Sequence, residues 1–162
     1  MNDKENKITL QIRKINTARR YLRYNAFLYG LYAFYMLTEV LDLAQLLFVR
    51  PENATYDLVY VIFHMAEFIT CTALAFVFVI AALQMSDTKY VILLCVIVLL
   101  FRIGIVYYFY FYQEPLHQRT PFIYKQPTEI SRSVRRLFIT LQLIGNVLVI
   151  FLWGRIAYII HN

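Results

Sequence analysis

Four long apolar stretches, at about residues 26–49, 58–84, 90–112 and 137–160, alternate with short polar segments along this 162-residue chain. Each is long enough for a membrane-spanning helix. Residues 58–83 alone make a helix of roughly 39 Å at about 1.5 Å per residue, against a hydrocarbon core of ~30 Å. Pro51, Pro115, Pro121 and Pro127 all fall between the stretches, where a missing backbone donor costs least. The pattern predicts an all-α fold: a polytopic membrane protein with four transmembrane helices in a bundle.

Ahead of the first stretch the period changes. Ile8, Ile12, Ile15 and Leu22 recur at helical spacing, with Lys7, Lys14, Arg20 and Arg23 largely on other faces. This predicts a basic amphipathic arm over residues 1–24, followed by a membrane domain over 25–162. The arm is expected to lie on the headgroups and lead into the first span, or to dock on a partner subunit. Its polar opening lacks the short apolar run and small-residue cleavage site of a secretory signal, and Asp3 and Glu5 argue against a cleaved presequence.

The polar residues inside the spans are few, and their positions coincide. Glu39, Asp42 and Gln45 form a stripe in the first span, and His64 and Glu67 share one face of the second. Arg102 is the single charge of the third; Gln142 and Asn146 stand on adjoining turns of the fourth. With the spans antiparallel, Asp42 and His64 lie roughly 10 Å deep, and Glu39, Glu67, Arg102, Gln142 and Asn146 come at roughly 14–15 Å or close to it. All four helices thus contribute to one intramembrane layer. A charge at that depth is costly unless it is paired, so Arg102 is expected to serve as counter-ion to Glu39 and Glu67. The same groups could instead bind a proton, a cation or a ligand.

Composition agrees with the pattern. The chain is 60% hydrophobic with mean hydropathy +0.55, far beyond what a soluble core needs. The net charge of +6 would suit nucleic acid, but the basic residues flank apolar spans, so it reads as membrane orientation. Lys4, Lys7, Arg13, Lys14, Arg19, Arg20, Arg23, Lys89 and Arg155 fall on the side of the termini, against Arg50, Arg119, Lys125, Arg132, Arg135 and Arg136 opposite. The termini are therefore expected on the cytoplasmic or matrix side. Arg19, Arg20 and Arg23, and Arg132, Arg135 and Arg136 at the end of the longest loop (113–136), are candidate contacts for anionic lipid or a partner.

Other chemistry recedes. Cys71 and Cys95 lie inside spans and read as packing residues, not a disulfide framework. A di-iron bundle needs acids or histidines on all four helices, and spans three and four offer none. No Gly-rich phosphate loop or nucleophile elbow occurs. The Asn53-Ala54-Thr55 sequon sits too close to the bilayer to favour glycosylation, and the aromatic run Tyr107–Tyr112 reads as an interfacial belt. Trp153 is expected at the interface.

The expectation is a non-enzymatic accessory or scaffolding subunit of a larger integral-membrane complex, such as a respiratory-chain or other energy-transducing assembly. It would use no cofactor and no metal, and its partners would be other membrane-protein subunits and lipids. The mitochondrial inner membrane is favoured over the secretory or plasma membrane. The alternative is a small transporter, channel or ligand-binding protein that works through the polar layer.

Overall fold

The computed structural model of the chain describes residues 3–49, 54–84, 87–108 and 129–161. They form four helices, α1 (Asp3–Val49), α2 (Ala54–Gln84), α3 (Thr88–Tyr108) and α4 (Glu129–His161), and no strand occurs among the described residues. The four prolines, the glycosylation-sequon asparagine Asn53 and most of the 113–136 loop lie outside the described residues. So does the aromatic run beyond Tyr108.

Among the described residues, three helices are long and apolar enough to cross a membrane: α2 over His64–Gln84, α3 over Thr88–Ile105 and α4 over Arg132–Ile159. This fits an integral, multi-pass membrane protein. The expected first span, 26–49, is helical throughout, and the side chains of its last eight residues, 42–49, lie outside the described residues.

Where the sequence suggests an arm and a span meeting near Tyr24, α1 is a single unbroken helix. No proline interrupts it, its first glycine is Gly30, and Asp3 and Glu5 in its first turn complement the helix dipole. At about 1.5 Å per residue it is roughly 70 Å long, more than the ~40–45 Å of a whole bilayer. Its buried residues Ala18, Leu22, Asn25, Tyr29, Tyr32, Met36 and Val40 recur at three- and four-residue steps. They form the seam along which α1 packs on both α2 and α4.

At the other tight connection, Asp87 caps α3, its carboxylate accepting from the Lys89 amide at 3.0 Å. Close backbone packing joins α1 to α2, α1 to α4 and α3 to α4. Among the described residues α2 and α3, although consecutive, have few close approaches. Side chains must therefore bridge them.

The core between the helices is aromatic and aliphatic. The Tyr29 and Phe78 rings stack with centroids 5.4 Å apart, and Tyr32 meets Phe138 at 5.4 Å. Trp153, expected at the interface, is only 1% exposed and lies inside the bundle. It falls on the same α4 seam as Gln142, Asn146 and Val149, and that seam faces α1 and α3. Cys71 and Cys95 are buried free thiols within the core. Threonine hydroxyls donate to carbonyls of their own helices, as Thr72 does to Phe68 at 2.8 Å, and so cost little among apolar neighbours.

Candidate functional site

On α3 the buried seam runs Val91, Cys95, Val98, Arg102, so helical geometry alone turns Arg102 into the bundle. Its side chain is wholly buried, and the cost of that burial is met from the facing helices. Nη1 donates to Glu67 of α2 at 2.8 Å (Oε1) and 3.1 Å (Oε2), and Nη2 donates to Oε1 of Gln142 on α4 at 2.6 Å. The guanidinium carbon lies 5.9 Å from the Tyr29 ring centre and 5.7 Å from that of Tyr32, within cation–π range, which brings in α1. One side chain touches all four helices. It also supplies the link between α2 and α3 that their backbones do not make.

The polar groups continue a turn to either side. Toward the ends of the chain, Asn146 donates from Nδ2 to the Tyr29 hydroxyl and to the Gln142 carbonyl, both at 2.9 Å. Beside it Asn25 packs directly over Gly145, where a Cβ would run into the Asn25 side-chain oxygen. Toward the other end, Nη2 of Arg135 lies 2.9 Å from Nε2 of His64. A guanidinium has only donors, so His64 accepts through Nε2 and is neutral in this arrangement. Glu39 accepts from the Tyr35 hydroxyl at 3.0 Å, one turn away on its own helix.

The expected layer is therefore assembled in part. Glu67, Arg102, Gln142 and Asn146 come together, and His64 joins them one turn off. The expected pairing of Arg102 with Glu39 is not what forms: among the described residues its Nη1 goes to Glu67 and its Nη2 to Gln142. Glu39 sits further along α1, beyond the tyrosines that occupy that level. The helix of Asp42 is described, whereas its side chain lies outside the described residues. Among the described residues no three His, Cys, Asp or Glu side chains gather as they would around a metal ion.

The basic candidates divide. Arg20, Arg23 and Arg136 are exposed, and Arg19 and Arg132 are half-buried. Arg135, expected in a loop at the lipid surface, lies on α4 and reaches inward to His64. The helix begins at Glu129, which puts Arg135 seven residues before Gln142 on the same seam.

Four contributors, Asn25, Tyr29, Tyr32 and Arg135, are absent from the expected layer. The signal for the first three was present: positions 25, 29, 32 and 36 step along one helical face into the same depth. Buried hydrogen-bonding atoms without a partner among the described residues remain at the centre, namely Nε of Arg102, Nε2 of Gln142, the Tyr32 hydroxyl and Oδ1 of Asn146. Compared with protein-family models, with curated proteins and with solved structures, the chain matches none.

Proposed function

We propose that this protein is a non-enzymatic accessory subunit of a larger integral-membrane assembly and that it works through the outer faces of its helices. The observation that carries the reading is the inward use of the polar layer. Arg102, Glu67 and Gln142 bond to one another, leaving mainly apolar side chains outward, such as Phe27 (71% exposed) and Phe34 (65% exposed). Between α1 and α2 those faces leave a groove of about 370 Å³ floored by Gly30, Ala33, Thr72 and Ala75, with Phe34 and Phe76 at its sides. Small residues in such a floor let the backbone of a neighbouring helix come close, the usual basis of helix association in lipid. The occupant we infer is a transmembrane helix of a partner protein, and an energy-transducing complex of the mitochondrial inner membrane is one such assembly.

Blue-native electrophoresis of mildly solubilised membranes tests this. The protein should migrate with a complex much larger than itself, and Gly30→Leu, which fills the groove floor, should release it as a folded monomer. Migration of wild type alone or as a small homo-oligomer would reject the reading.

A second reading rests on the buried atoms around Arg102 and Tyr32 that have no partner among the described residues. Such groups usually hold internal water, and hydrated carboxylates inside membranes carry protons or cations. On that reading Glu67→Gln abolishes ion flux in reconstituted vesicles while the bundle stays assembled.

A further inference from the structure

We propose that the end of the bundle where α1 begins and α4 finishes holds a binding site for an anionic phospholipid, formed by Arg13 and Lys14 of α1 with Arg155 of α4. The three basic residues line one groove of about 270 Å³, whose remaining walls include Leu152, Ile156 and Ile159. The site goes beyond the subunit reading and does not depend on it.

The groove exists because two helices outrun the other two. Tyr29 of α1 stacks on Phe78 of α2, and six residues further toward the ends α2 stops at Gln84, opposite Arg23. Arg13 lies ten residues beyond Arg23, about 15 Å at 1.5 Å per residue. Among the described residues α1 there has only α4 beside it. Ala18 and Ile156 remain buried in the seam between the two helices, while Arg13, Lys14 and Arg155 are exposed around it.

Position and chemistry select the ligand. The α2–α3 turn marks one edge of the apolar layer. Asn146 is level with Tyr29, so Arg155, nine residues on, lies about 4–5 Å past that edge, at headgroup depth. The groove it lines with Arg13 and Lys14 opens there. Three cations line it and none of the described residues in the lining is acidic, which calls for an anion, and the aliphatic walls call for one that carries hydrocarbon. Arg155 and Ile159 also line a second trough of about 510 Å³ that runs along the outer flank of α4 past Gly154 to Phe151 and Ile150. Those last two residues lie toward the bilayer centre, and a Cβ at Gly154 would meet nothing within 4 Å. A phosphate held by the three cations can thus direct an acyl chain down α4. A free phosphate would leave the trough unused.

Native mass spectrometry of the full chain, purified in mild detergent and titrated with phosphatidylglycerol or phosphatidylcholine, tests the site. Wild type should retain phosphatidylglycerol in preference to phosphatidylcholine, and millimolar inorganic phosphate should not displace it. At about a fivefold gain in binding per basic residue, the triple variant Arg13→Gln, Lys14→Gln, Arg155→Gln should bind about a hundredfold more weakly. Gly154→Leu, which leaves every charge in place and fills the trough, should also weaken binding. Lys4→Gln with Lys7→Gln, exposed on α1 outside the groove lining, should not. Equal retention of the two lipids by wild type would overturn the proposal. So would undiminished binding by the triple variant, an equal loss in the Lys4 and Lys7 control, or displacement by inorganic phosphate.

Discussion

Arg102 shows how one residue can fix the arrangement of helices that have no aqueous hydrophobic effect to drive them together. Lipid tails are as apolar as leucine, so association must come from close packing and from polar groups with nowhere else to go. A guanidinium suits that role because its planar fork serves two acceptors at once and stacks on aromatic faces. Here it bonds Glu67 and Gln142 and lies against Tyr29 and Tyr32. Close packing is concentrated a turn away at Gly145, opposite Asn25. Gly145→Val should therefore destabilise the bundle by about 1–3 kcal/mol, the usual cost of overpacking, and Asn25→Ala in the same chain should restore part of it. Thermal unfolding in detergent reads both. A silent Gly145→Val would mean that α1 and α4 do not meet there.

At the scale of elements, α1 ties the molecule together, since it packs on both α2 and α4 along one seam. The seam covers only part of its length: residues 3–14 are exposed on every face, whereas Ala18 to Val40 contribute buried positions at each turn. Hydrogen exchange should divide the helix accordingly, with amides of 18–40 strongly protected and those of 4–12 exchanging much faster in detergent. Uniform protection from Asp3 onward would contradict the packing.

This division bears on what the sequence makes legible. The apolar runs of α2, α3 and α4 stand out by length, and Glu67, Arg102, Gln142 and Asn146 stand out as polar residues inside them. Tyr29 and Tyr32 do not, because a tyrosine in an aromatic run looks the same whether its hydroxyl is at an interface or in a buried hydrogen bond. Arg135 was hidden in a cluster of basic residues of the kind that ends loops, and only the early start of α4 turns it inward. Trp153 is similar: nearness to a span's end suggests a depth but not a face, and the indole is turned into the bundle.

For the whole molecule, antiparallel packing of α1 on α4 brings the start of the first helix and the end of the last to the same end of the bundle, as their shared groove at Arg13 and Arg155 requires. Single cysteines at Ile8 and Tyr158 should then be labelled by an impermeant reagent from one side of sealed vesicles and a cysteine at Arg136 from the other; Cys71 and Cys95 are buried and contribute little background. Labelling of all three from one side would rule out this arrangement. The central claim remains that the layer around Arg102 holds the four helices together, and a double-mutant cycle between Arg102 and Glu67 in reversible detergent unfolding tests it most directly. Removing either partner leaves the other buried and uncompensated, so Arg102→Leu and Glu67→Gln should each cost about 3–5 kcal/mol, and the double variant should cost less than the sum of the two. Single variants that unfold like wild type, or losses that simply add, would contradict the account.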